Sequence, residues 1–124
     1  MGAKMMFQII EGLPSDVLGV EASGKVTHED YRDFLIPRAE ALMAQGPIKM
    51  LYVLGGDFSS YKPEALWDDA GFGHKHWHDF KRIAVVADVL WIRAAITLFR
   101  PIFPCEVRLF ALSERAAAKE WIAA

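Results

Sequence analysis

The stretch IKMLYVLGG at residues 48–56 is a short, strongly apolar run bounded by turn residues. Gly46 and Pro47 precede it, and a glycine pair ends it. A continuous apolar run of this length is typical of a strand that is buried on both faces of a sheet. A second run of this kind, RIAVVAD at residues 82–88, predicts another central strand. Both runs indicate a sheet whose central strands are covered by other elements.

The segments around these runs predict helices. Thr27 is followed three residues later by the acidic Asp30, which is a variant of the capping box that begins a helix. Pro37 falls within this helix, removes a backbone donor and predicts a kink. The helical pattern after the first strand run contains Gly71 and Gly73. Each glycine costs about 1 kcal/mol relative to alanine, which favours a break in that helix.

The two ends of the chain complete the order of elements. MMFQII (residues 5–10) and VLGVEASG (17–24) predict an N-terminal hairpin, and CEVRLFAL (105–112) predicts a last strand before a closing helix. The predicted order is β-β-α-β-α-β-α-β-α. Strands that are separated by helices pair in parallel through right-handed crossovers, whereas the hairpin adds an antiparallel edge. The class is therefore α/β, with a mixed, mostly parallel sheet that helices cover.

Length and composition narrow the classes of function. The 124 residues fit a single domain over positions 1–124, and 53% hydrophobic residues indicate a globular chain. The formal net charge of −2 and the absence of a basic block argue against nucleic acid as a partner. The single Cys105 has no cysteine to pair with, so a reducing cytoplasm is the expected location. No uncharged stretch reaches the roughly 18 residues of a membrane-spanning helix.

Four segments together resemble the SpoIIAA-like family, which belongs with the STAS domains of sulfate transporters and anti-sigma factor antagonists. They are THEDYRDFLIPRAEAL (27–42), IKMLYVLGGDF (48–58), ALWDD (65–69) and DFKRIAVVADVLWIR (79–93). The resemblance implies a STAS-like fold over nearly the whole chain. It also implies two kinds of role, which are regulation of a partner protein and association with membranes or lipophilic ligands.

The segment GFGHKHWHDF at residues 71–80 holds three of the four histidines at alternate positions. Residues of a helix advance by about 100° each, so His74 and His78 share a flank while His76 points nearly opposite. Zinc needs three or four ligands in a defined geometry. We therefore expect a polar helix flank beside a core-facing Trp77, with no metal ligands and no cofactor.

Within the segment GGDFSSYKP at residues 55–63, the part DFSSYKP (57–63) is predicted to be a loop after the central strand. Anti-sigma factor antagonists carry a phosphorylatable serine in the corresponding loop, and the resemblance implies Asp57, Ser59 and Ser60 as regulatory candidates. Phe58 intervenes after the aspartate, and no glycine follows the serines. The alternative is that the two hydroxyls cap the loop or the start of the next helix.

The segment VLWIRAAITLFRPIFP at residues 89–104 predicts an amphipathic helix over 89–103. Arg93 and Arg100 lie opposite its broad apolar face. Such a helix packs on the sheet as an ordinary crossover, or lies in a membrane interface, or covers an apolar pocket. The candidate residues for binding a ligand or a membrane are Trp91, Ile92, Arg93, Ile96, Phe99 and Arg100.

No set of nucleophile, base and orienting residue is recognisable, so no catalytic residue is assigned. We interpret the chain as a non-enzymatic binding protein for a lipophilic small molecule or a membrane surface. We expect it in the cytoplasm, and peripheral to the membrane if the ligand is a membrane surface. The alternative is a regulatory protein–protein interaction module related to anti-sigma factor antagonists. A homo-oligomer is compatible with either interpretation.

Overall fold

A five-stranded sheet with the sequential order β1-β2-β3-β4-β5 lies at the centre of the computed structural model. The structure describes residues 6–61 and 63–124, with side chains described for 6–61 and 69–124. The strands are β1 Phe7–Ile9, β2 Val17–Val26, β3 Ile48–Tyr61, β4 Phe80–Val86 and β5 Glu106–Phe110. The first pair is antiparallel and the other three pairs are parallel. The predicted α/β class and order of elements are confirmed.

Helices connect the parallel strands and follow the last one. Helix α1 consists of an α-helical turn His28–Asp30, a π-helical segment Tyr31–Leu35 and an α-helical segment Ile36–Met43. Helix α2 spans Pro63–Lys75 and helix α3 spans Leu90–Phe99, which a 3₁₀ turn Arg100–Ile102 extends. A 3₁₀ turn Leu112–Glu114 leads into α4, Arg115–Ala123.

Two predicted features of the helices differ from the observed ones, and a third stays a prediction. The expected break at Gly71 or Gly73 is wrong, because α2 runs through both glycines to Lys75. At Pro37 the chain continues as a helix, directly after the wider turns of the π-helical segment, and the predicted kink there stays a prediction. The α-helical part of α3 ends at Phe99, which is shorter than the predicted 89–103.

Alternate residues of β3 face the two sides of the sheet. Met50, Tyr52 and Leu54 belong to the larger buried cluster, with side chains from α1, α2 and α3. Leu51 and Val53 belong to a smaller cluster with α4. Because both faces of the strand are buried, the run is apolar throughout rather than alternating.

The predicted capping box at the start of α1 is present and extends to the first strand. The buried carboxylate of Asp30 accepts hydrogen bonds from the Thr27 backbone N–H at 2.7 Å and the Thr27 hydroxyl at 2.9 Å. Its other oxygen accepts from the Met6 backbone N–H at 2.9 Å. The cap therefore ties the helix to the chain that enters β1.

Replacing Asp30 by alanine is expected to lower the free energy of unfolding by about 2–4 kcal/mol, because two backbone donors lose a charged acceptor. Asp33→Ala, which removes an exposed carboxylate paired with Arg32, is the control and should cost less than about 1 kcal/mol. Urea denaturation of both variants measures the difference. Equal losses of stability would contradict this role of Asp30.

Candidate functional site

A pocket of about 440 Å³ opens on the larger face of the sheet, beside helices α2 and α3. Its strand side is formed by Met50, Tyr52, Leu54, Ile83 and Val85. Its α3 side is formed by Trp91, Ile92, Ala95 and Ile96. Most of these side chains are apolar, and the volume lies in the range of about 300–1,000 Å³ that is usual for small-molecule sites.

Small residues on the facing helices leave the space open. Ala70 and Gly73 of α2 and Ala95 of α3 line the pocket. A methyl group added at Gly73 would have no atom within 4 Å, so the helix backbone there borders free volume. Phe72, between the two glycines, is buried in the core and holds α2 against the sheet.

A chain of hydrogen-bonded hydroxyl groups is the main polar feature beside the pocket. The Tyr31 hydroxyl donates to Oδ1 of Asp69 at 2.9 Å. It lies 3.2 Å from the Tyr52 hydroxyl, which lies 2.8 Å from the Tyr61 hydroxyl. Tyr52, Tyr61 and Asp69 line the pocket. The chain has three tyrosines in all, so every tyrosine of the protein takes part.

Burial determines the protonation of this group. It raises the pKa of the Tyr31, Tyr52 and Tyr61 hydroxyls well above their ordinary value, so all three stay protonated. Asp69 has accessible surface, but surrounding protein raises the pKa of its carboxyl, while the hydrogen bond from Tyr31 acts in the opposite direction. The tyrosines can therefore donate hydrogen bonds but are poor bases at neutral pH.

The predicted apolar candidates on α3 fall into two groups, one that lines the pocket and one that does not. Ile92 is buried, and it lines the pocket together with Trp91 and Ile96. Phe99 is exposed and does not line the pocket. Leu90, Leu98 and Ile102 are also large, apolar and exposed, with 83% of Leu90 and 69% of Leu98 accessible. The helix therefore shows apolar side chains both to the pocket and to the outside.

The two predicted arginines differ in their surroundings. Nη1 of Arg93 donates to the backbone carbonyls of Ala87 at 2.7 Å and Phe110 at 3.2 Å, at the ends of β4 and β5. Arg100 is exposed at the start of the 3₁₀ turn. Arg93 therefore holds α3 on the sheet, and of these two arginines Arg100 is the one that is exposed to solvent.

The prediction that Asp57, Ser59 and Ser60 lie in a loop is wrong, because β3 continues to Tyr61. Irregular pairing with the end of β2 places Phe58 opposite Gly24 and Ser60 opposite Lys25. Asp57 and Ser59 are exposed and Ser60 is half-buried. Their regulatory role stays a prediction.

The histidines do not share one helix either. His74 lies in the last turn of α2, whereas His76 and His78 follow it in a turn. His76 is largely buried, with Nδ1 2.7 Å from Asp79 and Nε2 2.8 Å from Glu40 of α1. This contact, which the sequence spacing did not reveal, ties the end of α2 to α1. Among the described residues, no group of three His, Cys, Asp or Glu side chains could hold a metal ion.

Sequence reasoning missed the tyrosine chain. Its hydrogen-bonded pairs are separated by 9 to 38 positions, so no spacing motif marks them. One signal was present, because Tyr52 is the one hydroxyl within the apolar run IKMLYVL. A tyrosine in a buried strand needs a partner for its hydroxyl, which indicates a polar group nearby.

Because Arg93 donates to two carbonyls, Arg93→Met is expected to reduce the free energy of unfolding by about 1.5–3 kcal/mol. Arg100→Met is the matched control and is expected to change it by less than about 0.5 kcal/mol, since Arg100 is an exposed surface residue. Thermal denaturation of both variants decides the point. A similar stability of both variants would show that Arg93 does not hold the helix.

Comparisons with known proteins agree with this fold. The model of the SpoIIAA-like family matches residues 17–123. A similar solved structure is the crystal structure of an uncharacterized protein of the DUF3478 family with a SpoIIAA-like fold from Shewanella loihica PV-4. The two share 27% sequence identity with a TM-score of 0.77, and the match covers 98% of each chain. Among curated proteins, none matches the chain.

Proposed function

The chain belongs to the SpoIIAA-like family, and within it we propose a non-enzymatic binding protein that holds a lipophilic small molecule in the pocket beside α3. The single observation that carries this proposal is the pocket itself, which lies where the amphipathic helix meets the sheet. A well-formed apolar pocket with a few polar groups is the usual form of a small-molecule site.

The chemistry of the lining favours binding over catalysis. The hydroxyls that line the pocket belong to tyrosines whose pKa values are raised by burial, so they are not activated as bases or nucleophiles. Cys105 lies outside the lining, and burial raises the pKa of its thiol, which disfavours the reactive thiolate. We therefore assign no catalytic residue and no cofactor.

Gly73→Leu tests the pocket directly, because its side chain would enter the open volume beside α2. The neutral dye N-phenyl-naphthylamine becomes fluorescent in apolar sites and serves as the probe. We expect Gly73→Leu to weaken dye binding by at least about tenfold, since the leucine removes space and contact area.

Gly71→Leu is the matched control for this experiment. Gly71 lies in the same helix with no atom within 4 Å of an added methyl group, but it does not line the pocket. Both changes replace a helical glycine and should raise helix propensity equally. Equal dye binding by the two variants and the unchanged protein would overturn the proposal.

A membrane surface is the second candidate, and the exposed apolar residues of α3 favour it. Leu90, Leu98, Phe99 and Ile102 lie outside the pocket, with the exposed Arg100 among them in sequence. Apolar side chains that enter a bilayer interface beside a cation are typical of peripheral attachment to anionic lipid. No helix in the described parts of the chain is long and apolar enough to cross a membrane.

Leu98→Glu is expected to weaken binding to phosphatidylglycerol vesicles at low salt by at least about tenfold, because an inserted apolar side chain is lost. Thr97→Glu adds the same charge at the neighbouring exposed position and is expected to have a smaller effect. Co-sedimentation measures both. Equal losses would show charge repulsion alone, and absence of binding by the unchanged protein at low salt would remove the membrane candidate.

The regulatory module remains the alternative at the level of partner proteins. Its candidate residues Asp57 and Ser59 are exposed near the end of β3, and Ser60 lies half-buried beside them. An exposed serine beside a strand end is accessible to a kinase, and phosphorylation would add about −1.5 to −2 charge. Mass spectrometry of protein from its native cell tests this alternative.

A further inference from the structure

We propose that the pocket selects an uncharged ring compound with one hydroxyl group, which joins the hydrogen-bonded chain Tyr61–Tyr52–Tyr31–Asp69 at Tyr61. This inference rests on the proposed function, because it names the class of ligand for the same pocket. It is carried by the direction of the hydrogen bonds, by the charges of the lining and by the rings around the pocket.

The first step concerns the direction of the hydrogen bonds. A phenol has one hydrogen to donate, and an ionised carboxylate only accepts. If Asp69 is ionised, Tyr31 must donate to it, so Tyr52 donates to Tyr31 and Tyr61 donates to Tyr52. The oxygen of Tyr61 then keeps a free lone pair beside the pocket that it lines.

The opposite direction also leaves one unused group, again at Tyr61. If the carboxyl of Asp69 is protonated, it donates to Tyr31, Tyr31 donates to Tyr52, and Tyr52 donates to Tyr61. The hydroxyl hydrogen of Tyr61 then has no acceptor within the chain of hydrogen bonds. Asp69 keeps accessible surface, but the surrounding protein raises the pKa of its carboxyl, which brings this neutral form closer to physiological pH. A ketone on the ligand could pair with Tyr61 only in this second arrangement, in which Tyr61 donates. A hydroxyl group on the ligand can pair with Tyr61 in both arrangements, because it can donate or accept.

The second step concerns charge. Asp69 lines the pocket, His74 is the one other titratable residue besides the tyrosines among the described lining residues, and these include no Lys or Arg. Among these described residues, an anionic ligand would meet a carboxyl group and no fixed cation that could offset its loss of hydration. This disfavours fatty acids and phosphates. A cationic amine could pair with Asp69, so it belongs in the experiment as a competing outcome.

The third step concerns shape. Among the described residues, five aromatic side chains besides the tyrosines line the pocket, namely Phe72, Trp77, Phe80, Trp91 and Phe103. The Trp77 and Phe103 rings stack at 4.9 Å, and Phe72 meets Phe80 edge to face at 6.0 Å. Flat rings contact such walls in the same offset and edge-to-face arrangements, whereas an alkyl chain does not.

The test uses naphthol, naphthalene, naphthoate and naphthylmethylamine, which share one ring system and differ in the polar group. Displacement of N-phenyl-naphthylamine from the full chain gives the four affinities. We expect naphthol to bind at least about tenfold more tightly than naphthalene, which corresponds to one net hydrogen bond, and more tightly than either charged compound.

Tyr61→Phe keeps the ring and removes the hydroxyl that would meet the ligand. We expect it to reduce the preference for naphthol over naphthalene to less than about threefold, and this ratio cancels any change in affinity that both ligands share. A preference that survives in Tyr61→Phe would overturn the assignment of the ligand hydroxyl to this chain.

The outcomes separate the two proposals. If Gly73→Leu and Gly71→Leu bind the dye as well as the unchanged protein does, the pocket is not a binding site and both proposals fail. If the dye binds in the pocket but naphthol binds no better than naphthalene, or naphthoate or the amine binds more tightly than naphthol, the ligand class alone is overturned.

Discussion

The hydroxyl of Tyr52 is buried in the middle of the central strand, and much of the arrangement around it follows from the need to satisfy that group. A buried polar group without a partner is destabilising, so other hydroxyls must come to it. Tyr31 reaches it from α1, and Tyr61 reaches it from the far end of β3 itself. Through Tyr31 the chain of bonds extends to Asp69 of α2. One buried hydroxyl thus joins three elements on one face of the sheet.

The two faces of the sheet are covered to different extents. On one face, Ala118 and Ile122 of α4 are fully buried against Leu51 and Val53. On the other face, α3 contributes the buried Ile92, and small residues of α2 and α3 leave a volume between the helices and the strands. The strand can be apolar throughout because each face has a cover, and the looser cover leaves the pocket.

The local patterns in the sequence were sufficient where the interaction itself is local. Thr27 and Asp30 lie one helical turn apart, so their capping box could be predicted from the sequence. The two apolar strand runs could be predicted for a similar reason, because a strand that is buried on both faces is apolar at consecutive positions. Predictions were wrong where contacts with distant residues outweigh the local propensity. At Gly71 and Gly73, burial of the intervening Phe72 offsets the low helix propensity of the glycines. At Asp57–Ser60, pairing with β2 extends a strand through residues that are typical of a turn.

By itself, the sequence determined the α/β class, the order of the elements and the amphipathic character of the segment around α3, because periodicity and burial pattern encode these features. Only the tertiary structure decided that Arg93 bonds to the sheet, that His76 meets Glu40, and that Tyr31, Tyr52, Tyr61 and Asp69 form one chain beside a pocket. These contacts join residues of different structural elements, except that Tyr52 and Tyr61 both lie on β3. The physical reason is that a hydrogen bond acts over about 3 Å in space and carries no constraint on separation along the chain.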